Sequence, residues 1–144
     1  MIMPFDYYVR EKLVIKNIPN ISVAKSLFQK AGFRLKINRS AKIDENTASI
    51  IFEEVYESLR EAAQALMELK GYKPYSHEVV ISFIREHNFL SEEKSNIFDN
   101  YRVLRNNSVY KAEKISIEKC IEAMEFAKNT LPELNKIFEG MIRR

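Results

Sequence analysis

The sequence predicts an all-α chain: five helices in a largely up-and-down bundle behind a short N-terminal extension. Three observations carry this. Apolar residues recur at steps of three and four through long stretches, which places them on one helical face. No segment alternates apolar and polar residues for long enough to mark a strand. Three glycines and four prolines in 144 residues are too few for a loop-rich or disordered chain. That length fits one domain, residues 22–144, burying about two thirds of the surface its unfolded chain exposes.

Residues 1–21 read as the extension. Pro4 and Pro19 bracket a mixed segment, Phe5 to Ile18, that suits a short strand, a short helix or an arm on a partner. Its Phe5, Tyr7 and Tyr8 imply that it packs somewhere. Ser22 is the expected N-cap of a first helix running to residue 42, weakened but not ended by Gly32. The second helix is the clearest: Ala48, Phe52, Val55, Leu59, Ala62, Leu66 and Leu69 form an unbroken stripe. Glu53, Glu54, Glu57 and Glu61 read as its solvated face, and Gly71 as its left-handed stop.

Pro74 and Ser76 are expected to open a third helix to His87, with Val79, Val80, Phe83 and Ile84 inward. Ser91 should cap a fourth, with Glu92 and Glu93 in its favourable first turn and Phe98, Tyr101 and Leu104 inward. Ser116 should cap a fifth, whose stripe runs from Ile117 through Cys120, Met124, Ala127, Leu131, Leu134 and Phe138 to Met141. Pro132 should kink it. Ile121, Phe126 and Ile137 lie off that stripe, which implies deep burial or a dimer seam.

Charge is segregated. Residues 1–42 carry nine basic and two acidic side chains, residues 43–99 five and twelve, and residues 100–144 nine and six. Such a pattern fits an anionic partner, or a basic first helix pairing with an acidic second one; the pairing is the simpler expectation. One cysteine excludes an internal disulfide framework and fits a reducing compartment. No apolar run approaches the roughly 20 residues of a membrane span, and Met1–Tyr8 lack the pattern of a secretory signal. A cytoplasmic location without membrane association is the expectation.

The run with most chemical content is Leu104-Arg105-Asn106-Asn107-Ser108-Val109-Tyr110, near the end of the fourth helix. A second phrase, Gly71-Tyr72-Lys73-Pro74-Tyr75-Ser76-His77, joins the second and third helices. The order of these phrases among amphipathic helices, over about residues 22–140, resembles the HEPN family of small helical nucleotide- and RNA-associated proteins. The resemblance implies a five-helix HEPN-like bundle that dimerises through the helices bearing the arginine motif. It also implies a role for Arg105 in binding phosphate, with Asn106 as the polar residue beside it. The family's ribonucleases carry Arg, four to six residues, then His; here Tyr110 stands in the histidine's place, and the chain is similar to members with Arg-x4-Tyr.

Histidine suits metal-independent RNA cleavage because its proton affinity sits near neutrality. Arginine suits the phosphate because its planar fork donates in pairs and stays charged. Tyrosine, ionising near pH 10, leaves only about a thousandth of its hydroxyls ionised at neutral pH, so little or no ribonuclease activity is expected. Tyr110 could instead donate a hydrogen bond to phosphate or stack on a base. Arg102, three residues before Arg105, is a helper on the same face. The structural alternative closes these arginines against carboxylates, with Asp99 as Arg102's local partner, and buries Tyr110 in the core.

In the second phrase, Tyr72, Lys73, Tyr75 and His77 lead into a helix N-terminus, whose free N–H groups suit an anion and whose aromatic rings suit a base. The alternative is a tight connection whose tyrosines cap the bundle. No metal site or cofactor is expected: His77 and His87 are the only histidines, and no glycine-rich phosphate loop is present. Cys120 reads as a small apolar core residue.

The resulting expectation is a nucleotide- or RNA-binding regulatory module, homodimeric, paired with a small nucleotidyltransferase in a toxin–antitoxin or defence system. Two alternatives stand beside it: a metal-independent endoribonuclease toxin using Arg105 and Tyr110, and a helical dimeric interaction protein with no nucleic-acid role.

Overall fold

Helix α3, Ala48–Leu69, is the axis of the molecule, because it is apolar on far more than one face. Ile51, Phe52, Val55, Leu59 and Leu66 line its stripe. Ala62, Ala63 and Ala65 are also fully buried, and their small side chains let neighbouring helices approach closely. The computed structural model describes residues 1–144 as six helices and one two-stranded sheet. The other helices are α1 (Phe5–Arg10), α2 (Ile21–Arg39), α4 (His77–Glu86), α5 (Glu92–Lys111) and α6 (Ile117–Ile142).

Side-chain pairs fix the helix directions. Arg34 of α2 reaches Glu54 and Glu61 of α3, and Lys30 also meets Glu61, so α2 and α3 run antiparallel. Tyr101 and Lys94 of α5 bond Glu122 and Glu133 of α6, which makes that pair antiparallel too. Phe28 of α2 packs on Phe138 of α6, 4.8 Å between ring centroids. The basic and acidic segments of the sequence are thus facing helices.

The five segments expected as helices are α2 to α6, with adjusted ends. Asn20, not Ser22, caps α2, accepting from the Val23 N–H at 3.1 Å. Both residues have suitable side chains; the chain turns into the helix two residues earlier. Ser91 and Ser116 cap α5 and α6 as expected, accepting from the N–H of Lys94 and Lys119. Pro132 lies inside α6, which runs through it as one helix from Ile117 to Ile142. Its missing N–H removes the donor that the Lys128 carbonyl would otherwise have. Phe126 and Ile137 pack against the core, leaving only Ile121 of the off-stripe residues exposed.

The acidic face of α3 is only partly solvated, and each of its four glutamates has a partner. Glu61 is 2% exposed, held by Arg34 Nε at 2.7 Å and Lys30 Nζ at 3.3 Å. Glu53 accepts from the Ser108 hydroxyl at 2.7 Å. Glu57 pairs with Arg60. Glu61 is buried because α2 brings Arg34 and Lys30 to it, while Glu53, Glu54 and Glu57 stay partly exposed.

Residues 1–21 carry a sixth helix, α1, and strand β1 (Val14–Lys16), which pairs antiparallel with β2 (Tyr72–Pro74) in the register Val14–Pro74, Ile15–Lys73 and Lys16–Tyr72. Pro74 therefore belongs to a strand rather than opening a helix; α4 begins at His77, after Ser76. Strands of three residues are too short for alternation to reveal. Phe5, Tyr8 and Val14 are buried in the common core. Phe5 meets the Tyr72 ring edge-on at 5.1 Å, and the Ser82 hydroxyl donates to the Met3 carbonyl at 2.9 Å. No helix is long and apolar enough to cross a membrane.

Candidate functional site

Three helices bring three arginines and one histidine around the buried phenol of Tyr56. Tyr56 and Arg60 lie one turn apart on α3, His77 opens α4, and Arg102 and Arg105 lie on α5. The Tyr56 hydroxyl is 2.9 Å from His77 Nδ1, and the two rings stack with centroids 5.6 Å apart and planes 24° from parallel. Burial pushes the His77 imidazole down to a pKa of about 4, and the charges of Arg60, Arg105 and Arg102 push the same way against the carboxylate of Glu57. His77 is therefore neutral at neutral pH. Burial also raises the Tyr56 phenol, against the opposing pull of the same three arginines.

The arginines differ in how they are satisfied. Arg60 is clasped by Glu57, with Nε donating to Oε2 at 3.0 Å and Nη2 to Oε1, while its Nη1 donates to Gln64. Burial raises the Glu57 carboxyl, but the bond from Arg60 and the charges of Arg60, His77 and Arg34 together outweigh this and hold it below its ordinary range. Arg102 is buried, its Nε donating to Asp99 Oδ1 at 2.8 Å and its Nη1 3.6 Å from Glu78 Oε1. Glu78 in turn accepts from the Tyr8 hydroxyl at 3.4 Å, which ties α1 to this cluster. Arg105 is half-buried and forms no ion pair. Its Nη1 donates to its neighbour Asn106 at 3.3 Å, and its guanidinium carbon lies 6.0 Å from the Tyr110 ring centroid.

The four residues expected on α5 thus divide. Arg102 takes the local carboxylate Asp99 and serves packing. Arg105, Asn106 and Tyr110 stay together, and Tyr110 is 75% exposed rather than part of the core.

The phrase from Tyr72 to His77 divides as well. Tyr72 packs among Phe5 and Phe83, with Lys16 Nζ 4.4 Å above its ring. Lys73 and Tyr75 are exposed. His77 alone joins the arginines. Beside it the Ser76 hydroxyl, at the N-cap of α4, is buried with no hydrogen-bond partner.

Tyr56, Arg60 and Glu78 are the cluster members that sequence reasoning missed. A signal existed for two of them. A tyrosine and an arginine four apart on the most apolar helix place a phenol and a guanidinium on one buried side.

His87 stacks on Phe89 at 5.1 Å, and burial followed by Lys70 lowers its pKa, which marks it as a packing residue. Cys120 is wholly buried, and burial alone pushes its thiol up to about 11, away from nucleophilic use. No protein-family model, no curated protein and no solved structure matches this chain.

Proposed function

We propose that the chain is a HEPN-like helical module that binds a nucleotide or RNA through Arg105, and that it works as a regulatory homodimer rather than as a catalyst. The observation that carries this reading is the difference among the three arginines. Arg60 and Arg102 each hold a carboxylate, whereas Arg105 holds none and shares its surroundings with Asn106 and an exposed tyrosine ring. An unpaired guanidinium offers two parallel donors to a phosphate, and Tyr110 offers a ring face to a base. In this reading α2 to α6 are the five helices of the HEPN-like bundle, and residues 1–21 are an addition that braces α4. A small nucleotidyltransferase encoded beside it, as in toxin–antitoxin or defence pairs, is the partner this reading expects.

Exposed Val103, Val109 and Tyr110 on α5 support pairing through that helix. Val103, Asn106 and Tyr110 fall at successive turns of one side, so a second copy seated there would place two Arg105 motifs beside one cleft. Cleavage is not part of the proposal. The histidine of this cluster is held neutral and engaged at Nδ1 by Tyr56, and Tyr110 is no proton shuttle at neutral pH.

The test is a low-salt titration with mononucleotides and short RNA, repeated with Arg105→Ala and Arg105→Lys. The expected result is a loss on the order of tenfold or more in Arg105→Ala, with part retained in Arg105→Lys, which keeps charge but loses the fork. Equal binding by wild type and Arg105→Ala would remove the claim. Metal-independent cleavage of single-stranded RNA that vanished in both Tyr110→Phe and Arg105→Ala would replace it with a catalytic one.

A further inference from the structure

A groove of about 500 Å³ lies between α2 and α6, away from the arginine cluster. Its floor is apolar: Phe28 and Leu35 from α2, Leu131 and Pro132 from α6. Its rim is cationic: Lys36 and Arg39 from α2 and Lys128 from α6, with no carboxylate in the lining. Lys128 shares its charge with Glu125 one turn earlier, at 3.0 Å, whereas Lys36 and Arg39 form no ion pair.

The helices are antiparallel, with Phe28 against Phe138 at one end. Moving along α2 towards its C-terminus therefore moves along α6 towards its N-terminus. Lys36 and Arg39 consequently lie at the same end as Lys128. The cations sit at one end of the groove, and the aromatic and aliphatic floor extends from them.

Gly32, in the middle of α2, lines the groove without contributing a side chain to it. A Cβ built there would meet nothing within 4 Å, so no neighbour forbids a side chain. Glycine within a helix costs about 1 kcal/mol relative to alanine. The open space beside Gly32 is room in the groove that a guest can fill.

We propose that this groove binds a small amphipathic anion: an apolar chain or flat ring system lying along Gly32, Leu35 and Leu131, with a single acidic group held by Lys36, Arg39 and Lys128. Charge and shape select that class together. A neutral apolar molecule leaves the cations unanswered, and an anion without an apolar body leaves the floor wet. The site is independent of Arg105 and of the nucleotide reading.

The probe is 1-anilinonaphthalene-8-sulfonate, a flat apolar anion whose fluorescence rises on burial. Saturable binding to the wild-type chain is expected, with displacement by decanoate but only weakly by decanol or inorganic phosphate. Gly32→Leu fills the groove while favouring the helix, so it should abolish saturable binding with melting temperature unchanged or raised. Lys36→Gln with Arg39→Gln should weaken binding on the order of tenfold, as expected for losing charge-assisted contacts. Arg105→Ala should leave it unchanged. Undiminished binding in Gly32→Leu, equal displacement by decanol and decanoate, or no saturable binding in wild type would each overturn the proposal.

Discussion

The hydroxyl of Tyr56 on α3 and Nδ1 of His77 at the start of α4 meet at 2.9 Å, with their rings stacked. This contact joins the helix richest in core residues to the phrase that precedes α4. It also fixes the one imidazole that the arginines surround.

Burial of that imidazole, with the arginine charges around it, makes stability depend on pH. The folded His77 has a pKa of about 4, against an ordinary value of 6.5, so between those values the unfolded chain binds more protons than the folded one. Stability should therefore be complete above about pH 6.5, fall as pH drops towards 4, and lose nothing more to this group below that. Each tenfold change in proton affinity is about 1.4 kcal/mol, and partial solvent access reduces the total, so a loss on the order of 2 kcal/mol is expected. Urea unfolding midpoints measured from pH 7 to 4 should show this slope, and His77→Gln should remove it. An identical slope in the variant would assign the acid sensitivity elsewhere.

The phenol can be tested separately. Tyr56→Phe leaves a ring nitrogen of His77 without its partner in a half-buried place, which should cost about 1–3 kcal/mol. Chemical denaturation reads this directly; a variant as stable as the wild type would show that solvent replaces the bond.

Glu61 should behave as a buried carboxylate whose removal strands Arg34. Glu61→Ala is expected to destabilise by about 3 kcal/mol, because Arg34 loses its Nε acceptor and keeps only the more exposed Glu54. The double variant Glu61→Met with Arg34→Met should recover most of this loss, because an apolar pair of similar size carries no desolvation cost. Denaturant midpoints of wild type, Glu61→Met, Arg34→Met and the double variant supply the test; additive losses would mean the two residues do not act as a pair.

Gly71 is required by more than the end of α3. Its φ is +81°, and a Cβ there would come within 2.1 Å of the Asn17 backbone carbonyl oxygen. Asn17 N–H also donates to the Gly71 carbonyl at 2.5 Å, at the margin of the β1–β2 pair. Gly71→Ala should therefore cost more than about 2 kcal/mol, beyond the roughly 1 kcal/mol of an ordinary left-handed position. Faster amide exchange in residues 14–16 and 72–74 should accompany a lowered melting temperature. A fall in melting temperature with exchange unchanged would limit the role of Gly71 to the helix end.

If α5 is the seam between two copies, the chain should scatter light as a particle of about twice its 16.9 kDa mass. Val103→Glu together with Val109→Glu should return it to one chain without unfolding it, because both side chains are exposed. A monomer at every micromolar concentration in the wild type would end the shared-cleft idea.

The helices were legible in the sequence because their causes are local. A stripe at steps of three and four, Ser91 or Ser116 before it and Gly71 after it act within a few residues of one another. The facing of the basic α2 and acidic α3 was legible for a similar reason, since unlike charges on consecutive helices meet in a hairpin.

Tertiary structure alone decided the rest. It placed β1 against β2, a pairing of three residues too short to leave a pattern. It buried Glu61 by bringing Arg34 to it from 27 residues away. It gave Asp99 to Arg102 and left Arg105 without a carboxylate. It also carried His77 out of its connecting phrase and onto Tyr56, within the field of all three arginines. Whether a charged side chain is free or committed depends on what other helices bring within a few ångströms of it. Periodicity along one helix carries no record of that.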